Sequence, residues 1–242
     1  MRADLYLVEN GLMETRAKAQ DAIAAGKVFI NGEPARKPSQ KIPPGAEVTA
    51  EAAHPYVSRA ALKLIAGLDK FGIDPTNKVC LDVGASTGGF TQVLLERGAS
   101  HVYAVDVGRD QLHPKLQADA RVISMESTDA RSLAADSFAA APSLIVCDAS
   151  FISLLKVIPQ PLALAARQAD LIALIKPQFE VGKASIGRGG LVKSKDDHDR
   201  AVKEVRSGLE GVQGFRVRAV IDSPISGGDG NREYIINATR DA

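Results

Sequence analysis

The nine residues Asp82 to Phe90, D-V-G-A-S-T-G-G-F, constrain this chain more than any other stretch. An apolar run, Val79, Cys80 and Leu81, leads into Asp82, and beyond a glycine-rich turn Phe90, Val93 and Leu94 recur at helical spacing. The pattern predicts strand, tight turn, helix. Gly84, Gly88 and Gly89 let backbone approach a small molecule where side chains would obstruct it, and the free N–H groups of the helix face the same point. A nucleotide-like cofactor at the first crossing of a doubly wound α/β sheet suits such a turn.

Two cofactor classes compete for it, dinucleotides and S-adenosylmethionine (SAM). Dinucleotide sites want G-x-G-x-x-G, whose second glycine makes room for a pyrophosphate, and Ser86 stands where that glycine should be. The next strand, His101 to Val105, ends in Asp106, placed to accept both hydroxyls of a ribose. Both cofactors carry a ribose, so Asp106 does not choose between them. A close-packed core turn would also be rich in glycine.

A chain of 242 residues with 45% apolar content can bury a large core, as one domain or as a large and a small one. Its net charge of +1 does not advertise nucleic-acid binding, so any such reading rests on where the charges sit. Cys80 and Cys147, with no signal peptide, read as reduced core thiols of a cytoplasmic protein. No apolar run approaches the roughly eighteen residues that a membrane span needs.

The N-terminal segment opens on a helical pattern, Leu5, Val8 and Leu12, and a second helix is predicted from Thr15 to Ala25, stopped by Gly26. Val28 to Ile30 and Glu33 to Ala35 flank Asn31-Gly32, the pair a two-residue type I′ hairpin demands because both positions need positive φ. Between residues 16 and 41 stand six basic residues, Arg16, Lys18, Lys27, Arg36, Lys37 and Lys41, against two acids, Asp21 and Glu33. The other acids of this segment, Asp4, Glu9, Glu14, Glu47 and Glu51, lie mainly outside it. That asymmetry is the footprint of a surface for phosphates, set against the blander reading of a solvated helix face. Pro43, Pro44, Gly45 and Pro55 then mark a last short strand around Val48 and a joint. The expected division is a small α+β domain over 1–53, a linker over 54–60 and a larger domain over 61–242.

The larger domain is expected to open on a helix capped by Ser58, with Ala61, Leu62, Leu64, Ile65 and Leu68 apolar. Lys63 falls among them and, taken alone, reads as a lysine that snorkels to solvent. Strands at 122–124, 144–147, 171–175, 215–221 and 234–238 alternate with helical patterns near 110–117, 153–167 and 194–208. The last two strands are joined by a glycine-rich loop too short for a helix, so the last strand runs antiparallel. With the two strands already named, the prediction is a Rossmann-like, seven-stranded α/β sheet. Asp82, Asp106 and Asp148 end strands, Asp129 follows one, Lys176 ends the fifth, and Glu233 enters the last strand at the same edge. Single aspartates there are often helix caps; four along one edge, followed by a lysine, predict a shared ligand site. The loop from Gln178 to Lys193 is expected to move over the substrate.

These motifs in order carry a family resemblance. T-R-A-K-A-Q-D-A-I-A-A-G-K-V-F-I-N-G resembles the alpha-L RNA-binding module, which implies phosphate contacts from Arg16, Lys18 and Lys27. V-S-R-A-A-L-K-L, D-V-G-A-S-T-G-G-F, C-D-A-S-F-I-S-L, K-P-Q-F-E-V-G-K and G-N-R-E-Y, with that module in front, resemble the TlyA family of rRNA 2′-O-methyltransferases, often labelled haemolysins, over nearly the whole chain. The second half is similar to FtsJ-type methyltransferases, whose K-D-K-E tetrad maps onto Lys63, Asp148, Lys176 and Glu233, with Lys176 the implied base. The resemblance implies SAM as cofactor, bound about Asp82, Gly84, Ser86, Gly88, Gly89, Phe90, Asp106, Asp129 and Asp148, and no metal. It implies rRNA or a ribosomal subunit as partner, with a cytidine of large-subunit rRNA as the expected target. Ala149 departs from the family's more usual valine, and the N-terminus is shorter than in members that also modify the small subunit, which sets small-subunit rRNA second. The rival readings are a NAD-type oxidoreductase, against which Ser86 speaks, a non-enzymatic ribosome-binding protein, and a pore-forming haemolysin, for which no amphipathic or spanning segment is found. His54, His101, His113 and His198 show no metal-ligand spacing.

Overall fold

The computed structural model describes residues 1–241, which fall into two compact units, Met1–Arg59 and a second that begins at Ala60. In the first, helices α1 (Ala3–Glu9) and α2 (Arg16–Ala24) precede strands β1 (Val28–Ile30), β2 (Glu33–Pro34) and β3 (Val48–Ala50). The strands form an antiparallel sheet in the order β2-β1-β3. Thr15 caps α2 by accepting from the Lys18 N–H at 3.2 Å. Asn31 and Gly32 take φ of 51° and 80°, the positive values that a type I′ hairpin needs.

The buried stripe of α1 differs from the one read in the sequence. Ala3, Asp4 and Leu7 face inward, while Leu5 and Leu12 are exposed. The cause is Asp4. Its carboxylate is fully enclosed and accepts from Arg2 at 2.9 and 3.0 Å, from Arg16 Nε at 2.8 Å and from Gln20 at 3.1 Å, which turns the helix to that side. These donors, Arg2 foremost, hold the Asp4 carboxyl well below the usual carboxylate range.

The second unit contains α3 (Ala61–Phe71), β4 (Val79–Val83), α4 (Gly89–Glu96), β5 (His101–Val105), α5 (Pro114–Gln117), β6 (Val122–Met125) and β7 (Leu144–Cys147). After these come α6 (Leu154–Val157), α7 (Pro159–Ala163), β8 (Ala169–Ile175), α8 (Pro177–Glu180), α9 (Lys195–Glu210), β9 (Phe215–Asp222) and β10 (Tyr234–Arg240). Seven strands form one sheet in the order β6-β5-β4-β7-β8-β10-β9, with β10 antiparallel to both neighbours. β7 is buried throughout, and Leu81, Val105, Ile145, Leu171 and Ile236 share one core cluster. Burial pushes the thiols of Cys80 and Cys147 up to about 12, so both are inert packing groups.

Three local expectations change. Ala60, not Ser58, occupies the N-cap of α3, without a side-chain cap bond. The helix expected near 110–117 contracts to the single turn of α5 behind Pro114, and the one expected over 153–167 divides at Pro159, which lacks the N–H that a continuing helix would use.

Chain order and register together create the site. β4 to β6 build outward on one side of β4, and β7 returns to its other side, so the strand order reverses between β4 and β7. Val83 lies opposite both Val105 and Cys147. The residues that follow, Gly84, Asp106 and Asp148, therefore emerge together at the carboxyl edge. Ile175 pairs with Tyr234, which sets Lys176 beside Glu233 at that edge despite the opposite strand directions.

Candidate active site

Four elements deliver four charged heads to one place. The first turn of α3 carries Lys63, the end of β7 Asp148, the end of β8 Lys176, and the residue before β10 Glu233. Lys63 Nζ donates to Glu233 Oε2 at 2.6 Å and to Asp148 Oδ2 at 3.5 Å. Lys176 Nζ forms an ion pair with Asp148 Oδ1 at 2.7 Å and donates to the Asp148 carbonyl at 3.0 Å and to Ser150 Oγ at 2.7 Å. Asp148 is the bridge. Both lysines and Glu233 are buried, and two amines stand against two carboxyl groups. Such a group is tolerable in low dielectric only because each member has a partner.

Beside it opens a cavity of 560 Å³, whose wall includes Gly84, Ser86, Asp106, Asp129, Asp148 and Phe151. That volume lies within the roughly 300–1,000 Å³ of cofactor pockets. Gly84, at φ 81°, packs against the next strand's end so closely that a Cβ would sit 2.9 Å from the Ala149 Cα, so only glycine passes there. Ser86 adopts φ 48° without glycine, and its N–H donates to Asp106 Oδ2 at 2.8 Å. The Gly108 N–H holds the other Asp106 oxygen at 2.7 Å, which fixes the carboxylate at the wall with lone pairs to spare for a ribose. Asp129 is gripped by the Arg131 guanidinium at 2.6 and 3.0 Å and lies at about 2, well below its ordinary value, through that bond first.

The remaining candidates sit apart from the cavity wall. Asp82 is wholly buried under the turn, where Oδ2 accepts from Thr91 Oγ1 at 2.7 Å and Oδ1 has no hydrogen-bond partner. Burial raises its carboxyl to about 7. Gly88 and Gly89 start α4, where a Cβ on Gly88 would strike Leu116 Cδ1 at 2.2 Å, and Phe90 is core.

Two residues at the site were quoted within motifs and given no role. Ser150 receives the Lys176 amine, and Phe151 stands 91% exposed at the cavity mouth with φ 65°, its ring 5.4 Å from that of Phe179. Phe151 is a large apolar residue left exposed between the exposed Ser150 and the half-buried Ile152, which nothing in the sequence signals. The stretch from Gln178 to Lys193 carries a helical turn and two short 3₁₀ turns, and its far end is tied down by Asn231, whose side chain accepts from the Val192 N–H and donates to the Gly190 carbonyl, each at 2.9 Å.

In the first unit, folding pairs half of the basic residues with acids. Arg16 serves Asp4, Lys18 pairs with Glu14, and Lys27 lies 3.3 Å from Glu51. Arg36, Lys37 and Lys41 are exposed and form no ion pair among the described residues. No group of three or more candidate metal ligands occurs among the described residues, and no helix among them is long and apolar enough to cross a membrane.

Residues 56–240 match the model of the FtsJ-like methyltransferases, and residues 1–48 match that of the S4 domain. The chain is 43% identical to the 16S/23S rRNA (cytidine-2′-O)-methyltransferase TlyA of Mycobacterium tuberculosis, over 97% of this chain and 88% of that one. It is 40% identical to Hemolysin A of Brachyspira hyodysenteriae, over 97% and 98% of the two chains. A solved structure of a haemolysin-labelled protein from Streptococcus thermophilus superposes with a TM-score of 0.79 at 39% identity, over 99% of this chain and 88% of that one.

Proposed function

The chain belongs to the FtsJ-like methyltransferase family in its S4-bearing TlyA form, and on that premise we propose that it transfers a methyl group from SAM to the ribose 2′-hydroxyl of a cytidine in large-subunit rRNA. It is an enzyme of rRNA 2′-O-methylation, as its relatives are. The observation that carries the reading is the convergence of Lys63, Asp148, Lys176 and Glu233 beside a cavity walled by Asp106 and the glycine-rich turn.

The fold and family imply SAM, and the wall suits it: Asp106 would accept the hydroxyls of its ribose, and Val83, Val105 and Ile152 would supply apolar surface for its base. When bound, SAM supplies a methyl group activated by a sulfonium. The protein's own work is alignment and proton transfer. Holding the hydroxyl in line contributes roughly 7 to 11 kcal/mol, whereas a general base contributes about 10² to 10⁴ in rate, roughly 3 to 5 kcal/mol. Lys176, in its neutral amine form, takes the hydroxyl proton onto Nζ as the oxygen attacks. Asp148 holds that amine by carboxylate and carbonyl together, and Lys63 and Glu233 fix Asp148 from the other side. Ser150 Oγ, 2.7 Å from Nζ, marks the direction from which an incoming hydroxyl is received.

The target is set at a large-subunit cytidine because two relatives are described as acting on cytidine in 23S rRNA, one of them on 16S rRNA as well. Action on ribosomal RNA supports a cytoplasmic location. Mapping 2′-O-methyl positions in rRNA from cells with and without this protein tests the reading. One cytidine of the large subunit should lose its methyl in the deletion, and an unchanged map would sink it.

A further inference from the structure

A second concavity, of 760 Å³, runs between the first turns of α9 and the ends of β9 and β10. Five cations line it, Lys193, Lys195, Lys203, Arg206 and Arg232, against two carboxylates, Asp199 and Asp222. The chain as a whole carries a net charge of only +1, so this concentration is local rather than compositional. Some of the charge is used internally. Arg232 pairs with Asp222 at 2.7 Å and lies 5.3 Å above the Tyr234 ring, and Arg206 reaches Glu210 at 3.2 Å. Lys193, Lys195 and Lys203 are exposed and form no ion pair among the described residues. Val202, Val220 and Tyr234 add apolar lining, and His198 donates nothing outward because its ring nitrogens face the Val192 carbonyl at 2.9 Å and the Tyr234 hydroxyl at 3.1 Å.

The position matters as much as the charge. β10 runs against the other strands, so its start lies at the edge that bears Lys176. Arg232 and Tyr234, which line the groove, flank Glu233 of the charged cluster on either side in sequence. Side chains alternate along an extended strand, so the groove opens at the same edge of the sheet but on the α9 face of β10, opposite the face where Glu233 meets Lys63 of α3. A ribose within an RNA strand carries a phosphate on each side, and the strand must run away from the site across some face. Lysine ammonium groups are mobile point charges suited to phosphates whose exact positions vary.

We propose that this groove binds the phosphodiester backbone of the RNA strand next to the methylated nucleotide, with Lys193, Lys195 and Lys203 as the phosphate contacts. The proposal rests on the RNA-methylating reading above and adds a surface to it. The test compares the full chain with two triple variants, Lys193→Gln/Lys195→Gln/Lys203→Gln and the same three positions changed to Arg. Binding of transcribed large-subunit rRNA is followed against KCl concentration, alongside SAM calorimetry and thermal unfolding. Each lost phosphate contact removes about 0.7 to 0.9 from the slope of log K against log salt, so the Gln variant should lose roughly 2. Its KM for rRNA should rise at least tenfold, with SAM affinity and Tm as in the parent and the Arg variant keeping the parent's slope. An unchanged slope, or an equal loss in the Arg variant, overturns the proposal; the first outcome would point to another occupant such as an acidic protein segment, and the second to a shape requirement in the groove. The slope is read from binding alone, so a parent enzyme that binds rRNA but transfers no methyl would remove the functional reading while the groove is still judged.

Discussion

Lys63 Nζ lies 2.6 Å from Glu233 Oε2, although 170 residues of chain separate them. Both are buried, so neither is held by solvent. The pair ties the first helix of the second unit to the final strand and, through Asp148, to the two central strands.

Breaking that pair on one side leaves a buried charge alone. Lys63→Met should cost about 3 to 5 kcal/mol in unfolding free energy, and Lys63→Met combined with Glu233→Leu should recover much of it. Urea unfolding of the three proteins checks this, and a double variant less stable than the single would deny the coupling. Both variants should have lost activity whatever their stability.

The buried carboxyl of Asp82 makes stability depend on pH. Its value is about 7 in the fold against 3.8 for an ordinary aspartate, so between those values the folded state holds a proton that the unfolded state has released. Stability from this group is therefore full below about pH 4, falls as pH rises to about 7, and is level beyond. The total loss is on the order of 4 kcal/mol. Asp82→Asn keeps an acceptor for Thr91 and should flatten this part of the profile; a variant with the parent's slope would assign the proton elsewhere.

The family resemblance implies a phosphate contact for Arg16, and in the fold its guanidinium also pairs with the buried Asp4. Arg16→Ala should therefore lower the stability of the N-terminal unit by about 1 to 3 kcal/mol, the cost of a buried charged group losing a hydrogen bond. Arg36→Ala with Lys37→Ala should leave stability within about 0.5 kcal/mol and weaken rRNA binding with a reduced salt slope. Equal destabilisation by both changes would contradict the assignment.

Phe151 offers an exposed ring at the mouth of the cavity, and its positive φ is a strained conformation for an aromatic residue. Phe151→Ala should raise KM for rRNA by about tenfold, corresponding to roughly 1 to 3 kcal/mol of base stacking, and leave SAM affinity unaltered. A loss confined to SAM binding would place the ring in the cofactor site instead.

Most of the sheet was legible because its signals are local. β7 reads as a continuous apolar run, Asn31-Gly32 announces its own turn, and the glycines of the first crossing mark the strand-to-helix junction. The strand-end carboxylates could be lined up on one edge from strand and helix alternation alone. What could not be read was partnership. Nothing local distinguishes Asp4, drawn inward by Arg2, Arg16 and Gln20, from a solvated helix aspartate, so the apolar pattern of Leu5, Val8 and Leu12 does not show which side of α1 is buried. Lys63 looked like a snorkelling lysine on its own helix, because its acceptors are 85 and 170 residues away. Asp82 likewise stands in line with Asp106 in the sequence, yet Thr91 holds it beneath the turn rather than at the cavity wall.

The central claim is that Lys176 deprotonates a ribose hydroxyl beside SAM. It is tested most directly by single-turnover transfer of labelled methyl from SAM to large ribosomal subunits, with the parent and Lys176→Ala, followed by mass-spectrometric location of the label. The account predicts label on the 2′-oxygen of one cytidine, a rate lower by about 10² to 10⁴ in Lys176→Ala, and SAM affinity that scarcely changes. Label on a base, or transfer by Lys176→Ala at the parent's rate, would contradict it.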